Sequence, residues 1–190
     1  MDREELRRRV NRKILEDSLK QECLATLGER VSRYQELDFI KVTPNTHFAS
    51  VSGECILLYR DGHFLACIAL CQALAEAIAR FMCESSKFTA IPHDYEKNVE
   101  RLHKRKIEPD CYALFKEVWT GRDDYHHLNP NVTIEKNQLQ ETAKNKILTL
   151  HKIESRVFEF TIEGGAIAPT HPKYWDIRDG LLDGFLRFDP

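Results

Sequence analysis

The sequence predicts an all-α protein: an up-and-down helical bundle with an N-terminal helical extension and a small C-terminal β-hairpin. Three observations carry this prediction. From Phe64 to Met82 apolar residues fall on nearly every side of a helical projection, as in the central helix of a bundle. From about Ile134 to Phe158, Leu139, Ala143, Ile147, Leu150, Ile153 and Val157 form one apolar seam. Only after that does the period change, because Phe158-Glu-Phe-Thr-Ile-Glu-Gly-Gly-Ala-Ile alternates around Gly164-Gly165, which is the pattern of a hairpin.

In chain order, residues 1–45 read as the extension, 46–158 as the bundle, and 159–190 as the hairpin with an irregular tail. A charged helix is expected from residue 2 to about 27, with Leu6, Val10, Ile14, Leu19, Cys23 and Leu27 as an irregular seam and Gly28 as its stop. Its arginines are accompanied by Glu4, Glu5, Glu16 and Asp17, so a solvated helix packed on the domain or on a partner is favoured over an RNA-gripping arm. A second helical piece is expected over Glu29 to Asp38, and Thr43-Pro-Asn-Thr reads as a loop. The segment from His47 to Arg60 ends at the turn signal Asp61-Gly62 and leads into the central helix. There Gln72, Glu76 and Arg80 lie along one line, which is either the solvent side or the wall of a polar cleft where Glu76 orients Arg122. Asp94 suits the N-cap of a short basic helix reaching about Lys106, and Arg101, His103, Lys104, Arg105 and Lys106 form the densest positive cluster in the chain. Taken by itself, that cluster reads as a solvated helix end. After Pro130, Thr133 with Gln or Glu nearby opens the long seam helix. The aromatics of the tail, Tyr174 and Trp175, are expected to pin it to the bundle.

The stretch with most chemistry lies at the end of an amphipathic run that begins near Pro109, itself suited to a first helical turn. Cys111, Leu114, Phe115, Val118 and Trp119 occupy one helical stripe, and Arg122 comes next on it, followed by Asp123, His126 and His127. A guanidinium on such a stripe requires an acceptor or an opening to water. Pro130 then disfavours helical geometry at Asn129, so the helix is expected to fray near His126 to Leu128. An always-charged arginine and a titratable imidazole thus meet where a helix face opens.

Composition narrows the possibilities. The 190 residues suit one domain plus an extension, and a net charge of −2 gives no bulk attraction to nucleic acid, so any such role rests on a local patch. The N-terminus lacks the apolar core of a signal peptide, no later stretch is read as a membrane span, and a cytoplasmic protein with no membrane partner is expected. Six cysteines without a CxxC pair read as reduced small hydrophobes. No metal and no other cofactor are expected, since Cys67 and Cys71 share an apolar face and His126 and His127 are adjacent rather than four apart.

A strongly apolar helix followed by one ending in Arg122, four residues and His127, with polar Asp123 after the arginine, resembles the HEPN superfamily over about Thr46 to Phe158. The resemblance implies a compact helical bundle and metal-independent endoribonuclease chemistry. Two protomers would share a cleft in which the 2′-hydroxyl of RNA attacks its own phosphate. Arg122 and His127 would then be catalytic, Asp123, His126 and Glu76 supporting, and Arg101, Lys104 and Arg105 would line the cleft against RNA. The implied partners are a second copy, RNA, and an antitoxin or regulatory protein, in a toxin, defence or stress setting. Where HEPN toxins modified by a nucleotidyltransferase carry a tyrosine two residues beyond the motif histidine, this chain has Asn129. The alternative is a HEPN domain that binds RNA, a nucleotide or a partner protein without cleaving.

Overall fold

A computed structural model describes residues 2–37, 42–43, 46–126, 129–132, 135–175, 177–178, 181–182 and 185–186. The protein is mostly helical, with a small antiparallel hairpin near the C-terminus.

The first helix, α1 (Arg3–Gln35), is a single element, where two pieces with a stop at Gly28 were expected. Gly28 stays helical, with nothing within 4 Å of where its Cβ would stand. The Asp2 side chain caps its start by accepting from the Glu4 N–H. Pairs one turn apart run along the first half, Arg8 with Glu4, Arg9 with Glu5, Arg12 with Glu16 and Lys13 with Asp17. The expected seam is not buried among the described residues: 2 to 25 are exposed throughout, and so is Leu27. Only the C-terminal end is held. Arg33 is buried, donates to the Arg60 carbonyl at 2.8 Å and lies over the Phe64 ring.

After the two-residue strand β1 (Val42–Thr43) come α2 (Thr46–Asp61), a turn at Gly62 with φ +85, and α3 (Phe64–Ser85). The positive φ is the reason a glycine serves there. Helix α3 is the centre of the bundle and packs against α2, α4 (Tyr95–Lys104), α5 (Tyr112–Trp119), α6 (Arg122–His126) and α7 (Lys136–Val157). By length and composition α3 is apolar enough to cross a membrane, which corrects the expectation that no stretch approaches a span. It owes that character to its place in the core, where Cys67, Ile68, Cys71, Ala75, Ile78 and Ala79 are fully inaccessible. Along α7 the expected seam is buried from Ala143 to Val157. Its N-cap is Glu135; Thr133, the expected opener, lies outside the described residues.

The hairpin is β2 (Phe160–Glu163) against β3 (Ala166–Pro169), closed by Gly164 and Gly165, both at positive φ. Tyr174, in a short 3₁₀ turn (Pro172–Tyr174), is buried and donates to the Glu108 carbonyl at 3.0 Å, while Trp175 packs edge-on to Phe160. The tail beyond is more ordered than an irregular segment. Strand β4 (Ile177–Arg178) pairs with β5 (Leu181–Leu182), and β6 (Phe185–Leu186) pairs antiparallel with β1.

Candidate functional site

The amphipathic run expected as one helix from Pro109 to about His126 is two. Helix α5 ends at Trp119, Thr120 turns extended, Gly121 takes φ +72, and α6 restarts at Arg122. A Cβ on Gly121 would stand 3.3 Å from the Tyr125 ring, so both the backbone angle and the space call for glycine. The break exposes carbonyls at the end of α5, and buried side chains from neighbouring helices satisfy them. Lys146 of α7 donates to the Glu117 and Thr120 carbonyls at 3.0 and 2.7 Å, and Gln72 of α3 donates to the Val118 carbonyl at 3.2 Å. Thr149 adds a 2.7 Å bond to the Glu117 carboxylate. Burial lowers the Lys146 pKa, so the ammonium is retained by these carbonyls at some cost in desolvation.

This fixed break forms one wall of an open cleft of about 710 Å³ between α3, α4 and α5 to α6. Arg122, one-third exposed, reaches into it with Nη1 3.0 Å from Asp123 Oδ1 and its guanidinium 5.4 Å from the Trp119 ring centre. Trp119 in turn stacks on Tyr95 at 3.8 Å. The Tyr95 hydroxyl donates to the Phe115 carbonyl, and burial raises its pKa. The cleft is therefore floored by a rigid aromatic pair with an arginine at one edge. Asp124 is fixed by Asn129, whose Nδ2 donates to Oδ1 at 3.0 Å.

Of the expected site residues, the structure brings together Arg122, Asp123 and Glu76. The line of Gln72, Glu76 and Arg80 accordingly faces inward and to the cleft: Gln72 is buried, Glu76 lines the cleft, and Arg80 bonds His93 Nδ1 at 2.9 Å. That bond requires an accepting Nδ1 and so assigns the proton to Nε2 when His93 is neutral. The side chain of His126 and the whole of His127 lie outside the described residues.

Arg101, Lys104 and Arg105, expected to line the cleft against RNA, are not among the residues that line it in this chain. Arg101 donates to the carbonyls of Thr89 and Ala90, Arg101 and Arg105 both lie over the Phe88 ring, and Lys104 pairs with Glu100. Arg101 and Arg105 hold the α3–α4 connection to α4, and Arg101 and Lys104 line a neighbouring groove that shares Asp94 and Glu96 with the cleft. The cleft itself carries five carboxylates, Glu76, Asp94, Glu96, Asp123 and Asp124, against two permanent cations, Lys116 and Arg122. Asp94 is the N-cap of α4, and accepting from the Lys97 N–H lowers its pKa. Sequence reasoning saw Asp94 only as a cap and missed Trp119, Tyr95, Lys116 and Glu96 as wall residues. Asp94 and Glu96 on the first turn of α4, opposite a helix that ends in Trp119 and Arg122, were the available signal.

Among the described residues no cluster of histidine, cysteine and carboxylate side chains has metal-binding geometry. Compared with family models, curated proteins and solved structures, the chain matches none.

Proposed function

We propose that the chain is a HEPN-type, metal-independent endoribonuclease that acts in the cytoplasm as a homodimer with a composite site. The observation that carries this reading is the placement of Arg122. It opens a short helix at an enforced break, followed by an acidic partner, with its side chain one-third exposed at the edge of a cleft large enough for a nucleotide. In the proposed reaction Arg122 holds a non-bridging phosphate oxygen and stabilises the charge that builds there. The RNA 2′-oxygen attacks phosphorus as its proton leaves to a base, the bond to the 5′-oxygen breaks, and that oxygen takes up a proton. The products are a 2′,3′-cyclic phosphate and a 5′-hydroxyl. His127 serves as one of the two proton carriers. Asp123 orients Arg122, and an antitoxin or regulatory protein would hold the enzyme in check.

One observation favours a second reading. Five carboxylates around Arg122 and Lys116 disfavour a polyanion, and the basic cluster stands elsewhere. A non-cleaving HEPN domain that takes a basic segment of a partner protein over the Trp119–Tyr95 pair fits that charge pattern.

One experiment separates the two. Wild type, Arg122→Ala and His127→Ala are incubated with a mixed RNA pool in EDTA, and cyclic phosphate ends are counted. Cleavage by the wild type alone, with all three proteins equally folded, supports the nuclease. Uncut RNA, or equal cutting by the variants, overturns it and leaves the binding domain.

A further inference from the structure

Nine large hydrophobic side chains are exposed among the described residues, and eight of them lie on α1. A helix of 33 residues is about 50 Å long, and its first two-thirds are exposed along their whole length. Helices in water draw most of their stability from covering an apolar face, so such an arm calls for an occupant. The face that needs covering is identified by what the bundle leaves open. Arg33 marks the side packed on α2, and Leu24 and Val31 lie about half a turn away from it at 100° per residue.

Along that open side, Leu6, Val10, Lys13, Asp17, Lys20, Leu24, Leu27 and Val31 follow one another in alternating steps of four and three. This is the seam of a two-stranded coiled coil, apolar at both ends and charged in the middle. The charges select the occupant and its direction. A parallel copy would set Lys13 on Lys13, Asp17 on Asp17 and Lys20 on Lys20. An antiparallel copy sets Leu6 against the partner's Val31, Val10 against the partner's Leu27, and Asp17 against the partner's Lys20. Lys13 then falls against the partner's Leu24, where its methylenes lie on the leucine and its ammonium reaches water. RNA is a poor occupant of the arm, because Arg8, Arg9, Arg12 and Lys13 already face carboxylates one turn away.

We propose that two copies of this chain pair antiparallel along α1 through this seam, with the bundles at opposite ends of the rod. The proposal stands apart from the ribonuclease reading: it uses no residue of the cleft, and because it holds the two bundles apart it is a second interface beside any composite-site pair, so that both together give an assembly larger than a dimer. It is tested on the full chain by light scattering at micromolar concentration. Leu24→Glu with Leu27→Glu is expected to halve the wild-type mass while the thermal transition of the bundle persists. Leu15→Glu with Leu19→Glu, about half a turn off the seam, is expected to leave the mass unchanged. In a Cys23→Ser background, Val10→Cys combined with Leu27→Cys is expected to form interchain disulfides under mild oxidation, and Val10→Cys alone is not. A monomeric wild type, a mass insensitive to the seam substitutions, or efficient cross-linking through Val10→Cys alone would each overturn the proposal.

Discussion

Helices α1 and α3 are the two longest in the first half of the chain, and they use their hydrophobic residues in opposite ways. In α3 alanines and cysteines are interspersed with large side chains such as Ile68, Leu74 and Ile78, and five other helices press on them until Cys67, Ile68 and Ala75 are inaccessible. In α1 the side chains are large, mainly leucine and valine, and stand about half exposed among arginines and glutamates. Small residues allow close approach from every side, whereas large ones separated by charge suit a single narrow contact. The difference teaches that number of hydrophobic residues does not locate a core. The breadth of the face they form, and the small residues that let neighbours approach it, do.

The comparison can be broken most directly from the α3 side. Leu150→Ala, in the α7 seam that packs on α3, removes a fully buried side chain and is expected to cost about 2–5 kcal/mol in urea unfolding. A loss below about 1 kcal/mol would mean that the α3–α7 contact is not the core described above. The joint between the two kinds of helix comes next. Arg33→Ala removes charged hydrogen bonds from a buried site and is expected to cost about 1.5–3 kcal/mol by the same measurement.

Acid should loosen that joint without opening the core. The Tyr59 hydroxyl, followed by Lys144, holds the Glu36 carboxyl below its usual pKa, and Arg60, followed by Arg30, does the same for Asp61. A carboxyl whose folded pKa is depressed contributes fully above its unfolded value, near about 4, and loses that contribution as pH falls through the folded value. Below about pH 4, therefore, amide exchange should rise in the C-terminal third of α1 before it rises in α3 or α7. Equal onset in all three helices would contradict this. The smallest effect is expected on the free arm, where Leu19→Ala should change bundle stability by less than about 0.5 kcal/mol.

Much of the fold was legible because it rests on period. The α7 seam, the hairpin turn and the Asp94 cap follow directly from residue spacing. Two errors in helix bounds involve glycine, and a third is the start of α5 at Tyr112 where Pro109 was expected in its first turn. Gly28 was read as a stop, but an isolated glycine costs a helix only about 1 kcal/mol, and the pattern resumes beyond it. Gly121 was passed over because Val118, Trp119 and Arg122 continue the stripe, while the carbonyls it frees are satisfied by Lys146 and Gln72 from distant parts of the sequence. Arg122 and Asp123 were recognisable as a site because they adjoin one another in the chain. The remaining walls were hidden because Tyr95 and Trp119 meet only through tertiary packing, and the arginines at 101 and 105 stand off the cleft in this chain because their carbonyl and aromatic partners, Thr89, Ala90 and Phe88, sit in a loop.

The distribution of cysteines gives the molecule a built-in clock for its own breathing. Cys55, Cys67, Cys71, Cys83 and Cys111 are sequestered, and burial pushes the thiols of Cys83 and Cys111 up to about 11 and about 12, so they are guarded by both access and ionisation. Cys23, out on the arm, is exposed. A thiol-reactive chromophore should therefore show one prompt equivalent followed by five slow ones, and the slow phases time how often each part of the interior opens to reagent.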